Sequence, residues 1–272
     1  MHENQLQNQI QIPEENIDAL LLRLQERVVA LELENNELKR ASKSANELVS
    51  IATHQLRSPL TSMRGYTSCV LEGDYGEVPA KMKEPLNIIL RSTETLGKTV
   101  NDFLDVSKIE QGEMRYNLKD FSLVDLAKEV AEEMRLGISQ DGIELRINIP
   151  DGNFKVHSDK SKLKHVLINL IDNAHKYVKS GWIEVSLEEK PDNKILFSVK
   201  DSGIGIEPEN IPNLFKKFSR EADASKLNSR GSGLGLYIAR KIVEARHGRI
   251  WAESKGKGEG TQFYVELDGI KE

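Results

Sequence analysis

His54-Gln55-Leu56-Arg57-Ser58-Pro59-Leu60 sets a histidine in the middle of an amphipathic helical pattern. At about 100° per residue, Leu48, Ala52, Leu56, Leu60, Met63 and Val70 gather on one apolar face. His54 falls roughly 180° from the centre of that face, so its imidazole is presented to solvent or to another domain. Pro59 lacks the N–H that a helix ladder needs and is expected to break the ladder locally and bend the helix. An exposed histidine beside a built-in bend is a candidate reactive group. Most exposed histidines do nothing, and what decides the matter lies far downstream.

Toward the N-terminus the pattern runs without a break into a heptad over residues 17–49. Leu21, Val28, Asn35, Ser42 and Val49 form one series, and Ile17, Leu24, Leu31, Leu38 and Ala45 the other. The two interleave at the four-and-three spacing of a and d positions in a coiled coil. The alternative is a single amphipathic helix packed on its own domain. The strict d series, the charge elsewhere and Asn35 at an a position favour the coiled coil. A lone a-position Asn costs stability but fixes register and favours a parallel dimer. Residues 1–16, rich in Gln and Asn at their start, read as a disordered lead-in.

Toward the C-terminus the helix fades at the turn-rich Glu72-Gly73-Asp74-Tyr75-Gly76-Glu77-Val78-Pro79. A second amphipathic pattern covers 80–110 and ends at Gln111-Gly112. Two helices and a short loop make an antiparallel hairpin. Each carries an apolar stripe too broad for the other to bury, and two hairpins together form a four-helix bundle. Coiled coil and half-bundle point to the same homodimer. The expected division is 1–16 lead-in, 17–43 coiled-coil helix, 44–112 dimerisation hairpin, and 113–272 α/β domain. In that last part helices are expected at 122–136, 159–178, 208–217 and 233–247. Strands are expected at 143–149, 154–157, 182–189, 194–201, 249–254 and 261–267. This is an α/β sandwich with helices on one face of a sheet. The polar stretch 219–231 reads as a mobile loop.

The chain has 272 residues, a formal net charge of −5 and one cysteine, Cys69. One cysteine excludes a disulfide framework and a cysteine-rich zinc site and fits a reducing, cytoplasmic setting. No basic patch argues for nucleic acid. No run approaches the ~20 apolar residues of a membrane span, and no charged-then-apolar stretch suggests secretion. The six histidines show no metal-ligand spacing.

Three segments carry chemistry. In Asn169-Leu170-Ile171-Asp172-Asn173-Ala174-His175-Lys176-Tyr177, Asn169, Asn173 and Lys176 share one helix face. Amide oxygens suit a hard divalent cation and an ammonium suits phosphate; the alternative is a solvated polar face. Asp201-Ser202-Gly203-Ile204-Gly205-Ile206 follows an apolar strand. Its carboxylate can accept from an exocyclic amine while the backbone closes on a flat ring, or the segment is an ordinary turn. Gly231-Ser232-Gly233-Leu234-Gly235-Leu236 precedes a helix and can offer N–H groups to phosphate. It lacks the Gly-Lys-Ser/Thr of a P-loop and the context of a dinucleotide fold.

Each signal is weak separately, but the ordered set resembles the two-component sensor histidine kinases over about residues 44–267. His54 to Leu60 is similar to their H box, Asn169 to Tyr177 to the N box and Asp201 to Ile206 to the G1 box. Leu214-Phe215-Lys216-Lys217-Phe218 is similar to the F box and Gly231 to Leu236 to the G2 box. Asn101 to Glu110 resembles the end of the second dimerisation helix. The resemblance implies a HisKA-type dimerisation domain followed by a Bergerat-type catalytic domain that holds ATP and Mg²⁺ and phosphorylates His54. The phosphoryl group would then pass to an aspartate of a response-regulator receiver domain. By similarity Asn173 would coordinate Mg²⁺ with Asn169 beside it, and Lys176 and Tyr177 would contact phosphate and nucleotide. Asp201 would read the adenine amine, with Gly203 and Gly205 lining the base pocket. Phe218, Leu234 and the glycines Gly231, Gly233 and Gly235 belong to the nucleotide site and its lid, and Arg220 would approach the γ-phosphate.

The chain departs from the pattern beside the histidine, where the family usually has Glu or Asp and this chain has Gln55. A carboxamide oxygen can accept from Nδ1–H and fix the tautomer, but it cannot take the proton. Slower autophosphorylation is expected. Ser58, one turn on, keeps a hydroxyl that could position water, which leaves phosphatase activity toward the partner open beside a plain role at the bend. Two other classes compete. Gyrase-like or chaperone-like ATPases lack the H box on a hairpin, and a pseudokinase or dimeric scaffold that binds ATP without efficient phosphotransfer is kept open by Gln55. No recognisable sensor precedes the coiled coil. Input is expected from an upstream partner, or from sequence before Met1 that would tether the chain to a membrane.

Overall fold

The computed structural model describes residues 14–152, 154–219 and 232–270. Helix α1 spans Glu14–Glu72, and the chain divides into one unit up to Ala52 and a second from Thr53 onward. In the first unit the heptad side chains Leu21, Leu24, Val28, Leu31 and Leu38 are all exposed. No helix among the described residues is long and apolar enough to cross a membrane.

The second unit begins with the end of α1 and continues into α2 (Ala80–Glu110). Pro59 lies inside α1, which continues to Glu72, where the sequence pattern fades. Pro59 has no N–H to give the Gln55 carbonyl, and one lost bond in so long a ladder does not stop it. The two helices form the expected hairpin, with the Arg57 guanidinium donating to Asn101 Oδ1 at 2.8 Å. Leu60, Val100 and Leu104 are buried, whereas Leu56 and Met63 remain 47% and 57% exposed. The apolar face read from the sequence is therefore only partly covered by its own chain.

After α2, strand β1 (Lys119–Ser122) pairs antiparallel with β3 (Lys155–Ser158) in a small sheet. The main sheet has the order β2 (Ile143–Asn148), β4 (Gly181–Lys190), β5 (Lys194–Asp201), β7 (Thr261–Asp268), β6 (Arg249–Glu253). β2 runs parallel to β4 and the other neighbours are antiparallel. Helices α3 (Leu123–Gln140), α4 (Lys160–Tyr177) and α5 (Gly235–Glu244) contribute fully buried side chains to its core, among them Leu126, Leu167 and Ile238 against Phe197 and Phe263. Local chemistry sets the helix starts. The Ser122 hydroxyl accepts from the Asp125 N–H, and the Asp159 carboxylate accepts from the N–H groups of Ser161 and Lys162, satisfying donors that a first turn leaves open.

The α/β architecture and all six expected strands are present. The helix expected over 208–217 is not: that stretch holds turns and a single 3-10 turn, Ile211–Asn213. Pro208 and Pro212 each withdraw an N–H within five residues, too closely spaced for a ladder to form. β1 was not foreseen, because Lys-Asp-Phe-Ser has one apolar residue and becomes a strand only by pairing with β3.

Candidate functional site

The Asp159 cap fixes the phase of α4, and with it which side chains face inward. Asn169 is buried and Asn173 and Lys176 are half-buried, so the solvated-face alternative does not hold. All three help line a cavity of about 390 Å³, together with Asp172 and Tyr177 of the same helix. Asp172 Oδ2 accepts from Lys176 Nζ at 2.9 Å.

At the end of β5, Asp201 is buried in the wall of the same cavity. Its Oδ1 accepts from the Gly203 N–H at 2.8 Å and the Thr261 N–H at 3.3 Å. Burial pushes its carboxyl up to about 6, against the pull of those two bonds. The turn beyond it needs glycine. Gly205 has φ of +68°, and a Cβ there would run into the Gly256 carbonyl oxygen. Ser254 Oγ accepts from the Ile206 N–H at 3.0 Å and pins the turn to the loop after β6.

The third wall is the start of α5. That helix has no side-chain cap, so the N–H groups of its first turn remain open for an anion. A Cβ on Gly235 would stand 3.1 Å from Asn169 Oδ1. Glycine is what lets α5 approach α4 this closely, and Asn169 Nδ2 donates to the Gly235 carbonyl at 3.4 Å. Gly233, with φ of +70°, turns the chain into the helix.

Other expected residues stand elsewhere. Leu234 is fully buried and anchors the α5 turn rather than lining the cavity, and Gly203 acts through its N–H on Asp201. Phe218 has φ of +58° and is largely exposed, tilted against Phe103 of α2 with ring centroids 6.2 Å apart. His54, Gln55 and Ser58 are exposed on α1 and are not among the lining residues. Arg220 and Gly231, with the rest of 220–231, lie outside the described residues.

The helical hairpin supplies what the sequence reading missed. Glu94, Thr95, Lys98, Thr99 and Asp102 of α2 line the cavity. The Ser232 hydroxyl donates to Asp102 Oδ2 at 3.0 Å, while Asp102 Oδ1 is buried with no hydrogen-bond partner. Burial raises the Asp102 pKa, opposed by Ser232 and by the nearby His165. Lys162 of α4 pairs with Asp105 at 3.0 Å, and Lys217 pairs with Glu110. The one advance signal was the i, i+4, i+8 spacing of Glu94, Lys98 and Asp102 on a single face of an amphipathic helix.

Residues 44–112 match the HisKA family, described as the His Kinase A (phospho-acceptor) domain. Residues 158–270 match HATPase_c, described as the Histidine kinase-, DNA gyrase B-, and HSP90-like ATPase. Among curated proteins the chain is 33% identical over 87% of its length to Cyanobacterial phytochrome B of Nostoc sp., and 31% identical over 87% to Sensor histidine kinase WalK of Bacillus subtilis. It spans only 31% and 39% of their lengths. The catalytic domain of histidine kinase ThkA superposes with a TM-score of 0.50 at 30% identity, over 57% of this chain and 97% of that one. Full-length ShkA in complex with AMPPNP shares the fold, with a TM-score of 0.66 at 23% identity over 83% of this chain and 46% of that one. A phospho-acceptor hairpin followed by an ATPase domain of this type places the chain among the two-component histidine kinases.

Proposed function

We propose that the chain binds ATP in the α4–β5–α5 cavity and transfers its terminal phosphoryl group to His54 within a homodimer. The observation that carries this reading is convergence. Asp201, Asn173, Lys176 and the Gly233–Gly235 turn come from separate stretches and meet in one cavity. Asp201 accepts the adenine amine, the open first turn of α5 takes phosphate oxygens, and Lys176 neutralises charge. Asn173 offers an amide oxygen to Mg²⁺. One protein oxygen suits this ion, which keeps several waters and takes phosphate oxygens, and no cluster of three or more His, Cys, Asp or Glu exists among the described residues. When bound, Mg²⁺ supplies charge neutralisation between the phosphates.

In the reaction, Nε2 of neutral His54 attacks the γ-phosphorus in line, and the bond to the β–γ bridging oxygen breaks. ADP leaves with that electron pair, and the imidazole loses its Nδ1 proton to solvent. Gln55 holds the ring by accepting from Nδ1–H. Because His54 lies outside the cavity wall, the transfer requires the nucleotide-binding part to leave its seat on α2, or a second protomer to present its histidine. The phosphohistidine then passes its phosphoryl group to an aspartate of a receiver domain, and Ser58 positions water for the reverse, phosphatase, direction. The apolar residues left exposed on the hairpin and along the heptad are covered by the second protomer.

The test is incubation with γ-labelled ATP and Mg²⁺, followed by a chase with candidate receiver domains. Wild type is expected to acquire an acid-labile label. His54→Ala is expected to lose it entirely while binding ADP unchanged. Labelling that persists in His54→Ala would overturn the assignment. Nucleotide binding without label in wild type would favour the scaffold reading that Gln55 keeps open.

A further inference from the structure

The nucleotide cavity has a wall that none of the ATPase-domain motifs accounts for, the α2 face from Glu94 to Asp102. Its centre is Lys98. Lys98 Nζ stands 2.7 Å from Asp172 Oδ2, the oxygen that also accepts from Lys176 Nζ at 2.9 Å. One carboxylate oxygen therefore gathers two ammonium groups, one from each part of the molecule.

The charges in the wall make that pairing consequential. Four carboxylates line the cavity, those of Glu94, Asp102, Asp172 and Asp201, and among the described lining residues Lys98 and Lys176 are the cations. A polyphosphate entering such a wall meets net negative charge among the described residues, and the two ammonium groups are the cationic contacts those residues offer it. Asp201 accepts from backbone N–H groups and Asp102 from the Ser232 hydroxyl, whereas both ammonium groups stand at Asp172, which makes that the end suited to phosphate. Lys98 is 43% exposed on a flexible stem, so exchanging a carboxylate oxygen for a phosphate oxygen requires only side-chain rotation.

The geometry points to Lys98 of the dimerisation helix as a second cationic ligand for the nucleotide phosphates. A nucleoside di- or triphosphate is then held between Lys176 on α4 and Lys98 on α2 and ties the two parts together. This rests on the cavity being the nucleotide site. The phosphate chain then senses whether α2 is seated against the ATPase domain, whereas the base, held at Asp201, does not.

Calorimetric titration of the intact chain with ADP and with adenosine, in Mg²⁺, separates the outcomes. Lys98→Ala is expected to weaken ADP about 10-fold, the size of one charge-assisted contact, and to leave adenosine unchanged; Lys98→Arg is expected to keep most of the ADP affinity. Asp172→Asn removes the alternative that Lys98 merely neutralises Asp172: in that background Lys98→Ala must still weaken ADP. The inference is overturned by equal ADP affinities, by a loss shared equally with adenosine, or by a loss that vanishes with Asp172→Asn. If wild type binds neither ligand, the nucleotide reading itself falls and takes this inference with it.

Discussion

The helical hairpin and the sheet domain treat their apolar residues in opposite ways. In the sheet domain Val130, Leu167, Phe197 and Val265 are fully enclosed by their own chain. In the hairpin Leu56, Met63, Ile88, Ile89 and Leu96 are each about half exposed, although the pattern that places them is as regular. A sheet packed under three helices closes a core within one chain. Two antiparallel helices have a two-sided contact and leave the rest of each stripe open. The sheet domain closes its core by itself, whereas the hairpin leaves apolar side chains open on the helices that carry His54.

The contrast can be broken at four points. Phe197→Ala removes a fully buried ring from the closed part and is expected to cost about 3–5 kcal/mol, read as a lower denaturant midpoint; a loss below about 1 kcal/mol would mean that core is not closed. Asp201→Asn turns an amide N–H toward the adenine amine and is expected to weaken ADP roughly 100-fold, about 2.7 kcal/mol, while leaving stability equal or higher. The sign follows from its pKa. A carboxyl raised to about 6 in the fold, from about 4 unfolded, binds more protons when folded, so its stabilising contribution is full below pH ~4 and lost as pH rises through about 6. Thermal denaturation from pH 4 to 7 should show that decline in wild type and a flatter profile in Asp201→Asn. Leu56→Asp tests the open part. It is expected to dissociate the proposed dimer in sedimentation velocity, leaving ADP affinity within about 2-fold because Leu56 is not among the residues that line the cavity. The smallest effect belongs to Gln55→Glu. Restoring a proton acceptor is expected to raise the labelling rate by about 10-fold or less, and an unchanged rate would remove Gln55 from the chemistry.

The site was legible where its residues lie within one turn or one loop. Asn169, Asn173 and Lys176 announce themselves by helical spacing, and Asp201, Gly203 and Gly205 by a turn that only glycine tolerates. Leu234 and Phe218 were expected at the nucleotide site, yet Leu234 is fully buried and Phe218 lies against Phe103, since neighbours in sequence need not face the same way. Asp102 and Lys98 are polar positions of an amphipathic helix. Their partners Ser232 and Asp172 lie far along the chain, and nothing local distinguishes a carboxylate that will be buried from one that will not.

The sequence by itself determined most of the helices and strands and the glycine turns, because hydrophobic period and backbone propensity act between residues a few positions apart. It also placed His54 on the exposed face of its helix. Only the tertiary structure decided that β1 is a strand and that α2 forms a wall of the cavity. Those outcomes depend on contacts between distant segments, whose free energy is set by which faces the fold brings together.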